Sequence, residues 1–244
     1  MRERVGIILA AGKGTRMKSD TVKVTMQISG KPIVKYVVDA CIGAGIKRII
    51  VVVGYKAKNV IKSLGYDFEY VLQKKQLGTG HALMQTRELL KNFIGDLVVL
   101  VGDAPLINFK IIKGLIQHHQ ETDADATLIT TYFDNPPPYG RVVRDKNNKV
   151  IKIVEEFDAS PEIKMIEEVN SSHYCFKAEV VLPLLSEIKN DNVKKEYYLT
   201  DIVEILTKHG KKVETYSVVD PRFILGINTL EEFLTCEEML KQLP

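Results

Sequence analysis

Cysteine is scarce in this sequence and carries no pattern. Cys41, Cys175 and Cys236 are odd in number and far apart, with no CxxC pair and no Cys/His metal spacing. That excludes a disulfide framework and a zinc site, and leaves three small buried hydrophobes. Long apolar runs are also missing: none approaches the roughly 18 residues needed to span a bilayer. The apolar stretch from Val5 to Ala11 follows a basic N-terminus but breaks at Gly12-Lys13, too early for a signal peptide. Neither sign of charge dominates. The net charge is +3 and no basic run exceeds two residues, as at Lys74-Lys75, which argues against a nucleic-acid partner. Repeats, low-complexity tracts and linkers are absent. The expectation is a soluble cytoplasmic protein without membrane or nucleic-acid partners, forming one domain over residues 1–244.

What is present is ordinary globular composition, 45% hydrophobic and 27% charged, enough for a full core. Uniformly apolar runs at Val5–Leu9, Arg48–Val53, Phe68–Leu72 and Leu97–Val101 predict strands covered on both faces. Between them Ile33–Ala44, Ala57–Leu64 and His81–Lys91 carry helix-spaced apolar positions, and Phe109–His119 follows as another helix. This alternation predicts βαβ crossovers. The second half changes character: a strand at 126–133, a hairpin over 142–154 turning at Asn147-Asn148, a strand at 168–176 and a helix at 178–188. A helix ending at Gly210, late strands at "KVETYSVV" and "FILGI", and a terminal helix capped by Thr229 complete the reading. The fold class expected is α/β, a Rossmann-like mixed and mostly parallel sheet flanked by helices.

Ligands in open α/β sheets bind beyond the carboxyl ends of strands, and three informative stretches lie there. "LAAGKGTRM", residues 9–17, follows the first strand. It lacks the third glycine of the dinucleotide fingerprint and the Lys-Ser/Thr of the Walker loop. Gly12 and Gly14 can bring bare backbone amides to an anion. Lys13, Arg16 and, further on, Lys23 supply three cations, which suits a triphosphate. Alone, such a turn is equally compatible with a structural role. "VGDAPL" places Asp103 at the end of the apolar strand "LVVLV", where a carboxylate is poor core material but a hard ligand for Mg²⁺; capping of the following turn is its bland alternative. "QKKQLGTGHA" offers Gln73, with donor and acceptor to read a base edge. In the same stretch Gly78 and Gly80 would let a flat base lie on the backbone, and His81 reads as a helix N-terminal residue. No nucleophile motif or carboxylate pair stands out, so the chemistry indicated is the positioning of phosphates.

Taken in order, "LAAGKGTRM", "QKKQLGTGHA", "GDAPL", "YGRVVRD", "IVEEFDA", "VNSSHYCF" and "EYYLTDIVEI" resemble the sugar nucleotidyltransferases, also called nucleotide-sugar pyrophosphorylases. Within them the series is most similar to the uridylyltransferase domains of bacterial N-acetylglucosamine-1-phosphate uridylyltransferases, over nearly the whole chain. The resemblance implies a nucleotide-diphospho-sugar transferase fold and a Mg²⁺-dependent reaction of UTP with a sugar-1-phosphate, giving a UDP-sugar and pyrophosphate. By the same resemblance Leu9, Ala10, Ala11, Gly12, Gly14 and Gly102 line the nucleotide, and Lys13, Arg16 and Lys23 are the catalytic cations. Gln73, Gly78 and Thr79 meet uracil, and Asp103 and Asn228 hold Mg²⁺. Gly140, Glu155 and Asn170 meet the amino sugar and its surroundings, with Tyr198 and Thr200 bordering it.

Three departures accompany the match. Thr21-Val22-Lys23 stands where Leu-Pro-Lys is usual, Val101 where Tyr is common, and Ser171-Ser172 where Thr-Gly is common. The chain ends at Pro244 without hexapeptide repeats, so neither acetyltransferase activity nor an acetyl-CoA site is expected; the oligomeric state is left open. The alternatives are another nucleotide or sugar (dTTP or UTP with glucose-1-phosphate or N-acetylmuramic acid-1-phosphate) and a non-catalytic sensor of the same fold. A sensor is expected to lose its lysines or its metal carboxylate, and this chain keeps both.

Overall fold

In the computed structural model, which describes residues 2–14 and 21–242, every apolar run of the first half is a strand. Strand β1 (Arg4–Ala10) lies between β4 (Arg48–Val53) and β6 (Asp96–Val101), parallel to both, and β5 (Glu69–Leu72) continues beyond β4. On the other side of β6, β10 (Glu168–Lys177) runs antiparallel and pairs with β7 (Ala126–Tyr132), which pairs in parallel with β11 (Val213–Ser217). The order is β11-β7-β10-β6-β1-β4-β5. The antiparallel β10 makes the sheet mixed, and the hairpin β8 (Arg141–Arg144) and β9 (Val150–Val154) joins it through β8 to β10. Asp145 organises its turn, its side chain accepting from the amides of Asn147 and Lys149, with Asn148 in the left-handed region at φ 63°.

Strand alternation sorts the core into two layers. Val5, Ile7 and Leu9 face one cluster with Leu83, Val181 and Ile202, which belong to α3 (Thr79–Met84), α7 (Ala178–Leu184) and α8 (Asp201–Lys208). Ile8 and Ala10 face the other, with Val34, Val37, Ile112 and Leu115 from α1 (Ile33–Gly43) and α5 (Phe109–Glu121). β1 is therefore buried on both faces, which is why its sequence shows no polar alternation. Cys41, Cys175 and Cys236 are all buried, and burial pushes the Cys41 thiol up to about 12.

Some expectations are corrected. "FILGI" is no strand: Asp220 caps a single 3₁₀ turn at Pro221–Ile224, and Ile224 and Ile227 turn into the core. The helix expected over 81–91 breaks after Met84 and resumes as α4 (Arg87–Leu90). The helix expected from 178 to 188 ends at Leu184, with a 3₁₀ turn completing it. A two-residue hairpin, β2 (Gln27–Ile28) with β3 (Lys31–Pro32), escapes the pattern because elements that short have no period to read. After α2 (Ala57–Leu64) and the short α6 (Pro161–Lys164), the last helix is α9 (Leu230–Gln242). Its start is a capping box: Glu232 Oε2 accepts from the Thr229 amide at 3.0 Å, and Thr229 Oγ1 accepts from the Glu232 amide at 3.2 Å.

Candidate active site

β1 is the strand at which the winding of the sheet reverses, because β4 lies on one side of it and β6 on the other. A crevice at the carboxyl ends of such strands is the expected ligand site. There the structure has a cleft of about 450 Å³, lined by Leu9, Ala10, Ala11, Gly12, Lys13 and Gly14 from the first loop. Val101 and Asp103 line it from the end of β6, with Lys23 and Asn228 beside them and Gln73, Gly78 and Thr79 further along. Gly102 lies beneath, buried, with its amide donating to the Leu9 carbonyl at 2.9 Å. Lys13 is exposed on the cleft wall; Arg16 lies outside the described residues.

The two glycines of the first loop differ in what they do. Gly12 faces open space. Gly14 has φ +63°, and a Cβ there would stand 2.7 Å from Lys23 Cβ, so the loop packs directly on the lysine stem. Lys23 begins a 3₁₀ turn between the buried Val22 and Val24. Val22 has φ −62°, the value a proline in that place would impose, so the absent proline costs no geometry.

Lys23 Nζ is ion-paired with Asp103 Oδ2 and donates to Asn228 Oδ1 at 3.2 Å. The Asp103 carbonyl accepts from the Ile227 amide at 2.8 Å, and Gly226 lies against the Asp103 carboxylate. Ile227 is buried with Ile28, Ile33, Leu106 and Cys236, so packing of the terminal helix fixes Asn228 beside Asp103. A carboxylate and an amide oxygen thus converge on one cation, the donor chemistry that a hard divalent ion takes. Asp103 and Asn228 fit Mg²⁺ in that sense. Among the described residues no group of three or more His, Cys, Asp or Glu could hold a metal, so other ligands would come from phosphate and water.

At the far end, Gln73 is buried at the close of β5. Its Nε2 donates to the Gly78 carbonyl at 3.0 Å and lies 3.0 Å from His81 Nδ1. The donors expected to read a base are therefore committed within the protein, and Gln73 has only its carbonyl oxygen to offer. Gly78 and Gly80 are also constrained from within the protein. A Cβ at Gly78, where φ is +109°, would stand 2.5 Å from the Tyr197 carbonyl oxygen, and one at Gly80 would stand 2.9 Å from it. The neighbour that requires these glycines is the Tyr197 backbone, which accepts from the Gly80 amide at 2.8 Å. Thr79 Oγ1 accepts from the Leu199 amide at 3.0 Å, stitching the same two segments.

Gly140, Glu155 and Asn170 are not among the residues lining that cleft, and lie close to one another. The Asn170 amide donates to the Gly140 carbonyl at 2.9 Å. Glu155 Oε1 accepts from Thr200 Oγ1 at 2.9 Å, and Asn170 Nδ2 donates to the Tyr174 hydroxyl at 2.8 Å. Asn170 Oδ1 and the Tyr198 hydroxyl are buried without a partner among the described residues. Burial raises the Glu155 carboxyl. Burial and the Glu155 charge together lift Asp201, which shares a second cavity with Glu155 and Tyr198, to about 7. Tyr139 ties this cluster to the cleft, since its hydroxyl accepts from the Gly226 amide at 3.1 Å.

Three contributors carry little sequence signal. Arg141 is buried, donates to the carbonyls of Pro137 (3.0 Å) and Tyr139, and pairs with Glu156 at 3.1 Å, holding the turn that presents Gly140. Gln76 lines the cleft and donates to the Gln73 carbonyl at 2.9 Å. His173 is fully buried beside the end of β6, with Nδ1 accepting from the Val101 amide at 3.4 Å, and burial lowers it to about 4. An arginine inside "YGR" and a histidine inside a strand were visible as residues, but their partners were not.

Comparison with known proteins bears on the family and the fold. The chain is 48% identical over 224 residues to the bifunctional protein GlmU of Acetivibrio thermocellus, spanning 92% of this chain and 49% of that protein. It is 41% identical over 242 residues to the GlmU of Geobacillus sp. (strain WCH70), spanning 99% and 53%. The chain thus spans about half the length of these relatives. A solved structure of UDP-glucose pyrophosphorylase complexed with UDP-glucose superposes with a TM-score of 0.76 at 19% identity, covering 99% of both chains, which shows a shared fold. The family model described as nucleotidyl transferase matches residues 5–220. This chain belongs to the nucleotidyl transferase family.

Proposed function

We propose that this chain, as one nucleotidyltransferase unit, joins UTP to a sugar-1-phosphate, with N-acetylglucosamine-1-phosphate as the sugar substrate, releasing pyrophosphate. The observation that carries the reading is the convergence of Lys23, Asp103 and Asn228 beside the Gly12–Gly14 loop, in one cleft with Gln73 at its other end. The relatives named GlmU support the choice of reaction.

In this reading the sugar phosphate oxygen attacks the α-phosphorus and the bond to pyrophosphate breaks. The nucleophile is already an anion, so no general base is needed. What the protein supplies is alignment of two polyanions, worth several kcal/mol of barrier, and cations preset for the charge that develops on the leaving oxygens. Lys13 and Lys23 take that role, and Arg16 joins them on the strength of the sequence alone. Asp103 and Asn228 would hold Mg²⁺, which when bound adds positive charge at the phosphates. Gly140, Glu155 and Asn170 face the sugar.

The test is a pyrophosphate-release assay crossing the nucleoside triphosphates UTP, dTTP, CTP and ATP with N-acetylglucosamine-1-phosphate, glucose-1-phosphate and N-acetylmuramic acid-1-phosphate. Release with UTP and N-acetylglucosamine-1-phosphate is expected. Silence for every pair would leave a nucleotide-sugar sensor and sink the catalytic reading.

A further inference from the structure

The ion pair at the centre of the cleft has a consequence for the order in which ligands enter. We propose that Lys23 is a built-in counter-ion that shuts divalent metal out of the ligand-free cleft, and that a triphosphate opens the Asp103–Asn228 pair by drawing the ammonium away. This rests on the reading of the cleft as a triphosphate site. Lys23 Nζ already touches both oxygens that would hold a metal, Asp103 Oδ2 and Asn228 Oδ1. Its side chain is only 12% exposed and that of Asp103 22%, so water screens the pair poorly. An ammonium and a divalent ion cannot both occupy the pair Asp103 Oδ2 and Asn228 Oδ1. For metal to be held, Lys23 must leave.

The local structure lets it leave by rotation of the side chain alone. Val22 and Val24, both buried, anchor the backbone on either side, while the lysine stem carries four rotatable bonds. The place it would go is adjacent, because the Gly14 backbone packs on the Lys23 stem and so brings the anion-binding loop next to it. A triphosphate on that loop would attract the ammonium with several negative charges where Asp103 offers one. Nucleotide first, metal second, is the order this arrangement favours, and metal alone should bind weakly.

The experiment is a titration of the ligand-free protein with Mn²⁺, followed by the electron paramagnetic resonance signal of the free ion, which needs no turnover. Lys23→Met should tighten Mn²⁺ at least tenfold over wild type. Lys23→Arg, which keeps the charge, should stay at the wild-type level. Adding Asp103→Asn to Lys23→Met should abolish the gain. Should Lys23→Met fail to fold by circular dichroism, Lys23→Gln replaces it as the neutral variant. Tightening that is absent in the neutral variant, or that survives Asp103→Asn, overturns the proposal. If pyrophosphate release fails for every substrate pair while Lys23→Met still tightens Mn²⁺, the catalytic reading falls and this one stands.

Discussion

The side-chain nitrogen of Gln73 lies 3.0 Å from the carbonyl oxygen of Gly78. A backbone carbonyl can only accept, so this contact fixes which way the amide points and leaves Oε1 as the group a ligand can meet. Uracil presents an N3–H donor to such an acceptor, whereas cytosine presents a bare acceptor. With both acceptors removed from water and unpaired, CTP should be used at least 10²-fold less efficiently than UTP. Thymine carries the same N3–H, so dTTP should not be rejected at this contact. Steady-state kcat/KM for the three nucleotides measures this, and equal use of CTP and UTP would remove Gln73 from base recognition.

Asp201 should make the protein less stable in mild alkali. Its carboxyl is raised to about 7, by burial first and then by the Glu155 charge. The folded state therefore holds that proton more tightly than the unfolded chain does. The stability this contributes is complete below the ordinary carboxylate range near pH 4 and is lost as pH rises through 7. Asp201→Asn should raise the urea midpoint at pH 8, with the gain shrinking toward nothing near pH 4. A gain independent of pH would point to packing instead.

His119 and His173 act in the opposite direction. Burial lowers each to about 4, and each is held in the interior, His119 beside Thr127 Oγ1 at 2.8 Å and His173 under the Val101 amide. Between pH 6.5 and 4 the unfolded chain binds protons that the folded state refuses, so stability falls as pH falls through that window. The slope is about 1.4 kcal/mol per pH unit for each histidine. His173→Asn keeps an acceptor for the Val101 amide and should reduce the slope of unfolding free energy against pH by about one proton. An unchanged slope would mean His173 already ionises normally.

Ser172 occupies the left-handed region at φ 62°, inside the irregularity where β10 slips register between Asn170 and Tyr174. A non-glycine residue there carries about 1 kcal/mol of strain. Ser172→Gly should therefore stabilise the protein by about 1 kcal/mol, read as a shift in denaturation midpoint. Destabilisation would show that the hydroxyl contributes more than the backbone strain removes.

Three strands of the first half, β1, β4 and β6, were legible because both faces of each are buried and a doubly buried strand is written as an unbroken apolar run. β5, at the sheet edge, is only half-buried, which corrects the expectation that it is covered on both faces. The terminal helix was legible because Thr229 caps it locally, and the positions of the three glycine- or carboxylate-bearing motifs followed from their place after strands. All of these are short-range properties of the chain. Partnership is a long-range one. Lys23 meets Asp103 across 80 positions and Asn228 across 205. The glycines of "QLGTGHA" are also packed against the Tyr197 backbone, and "FILGI", which reads as a strand, bends into the core under Asp220 and Pro221. Local pattern records which face of an element avoids water. Which oxygen, amide or ammonium waits on the other side is settled by packing, because the energy that joins two distant residues appears only once the chain between them has folded.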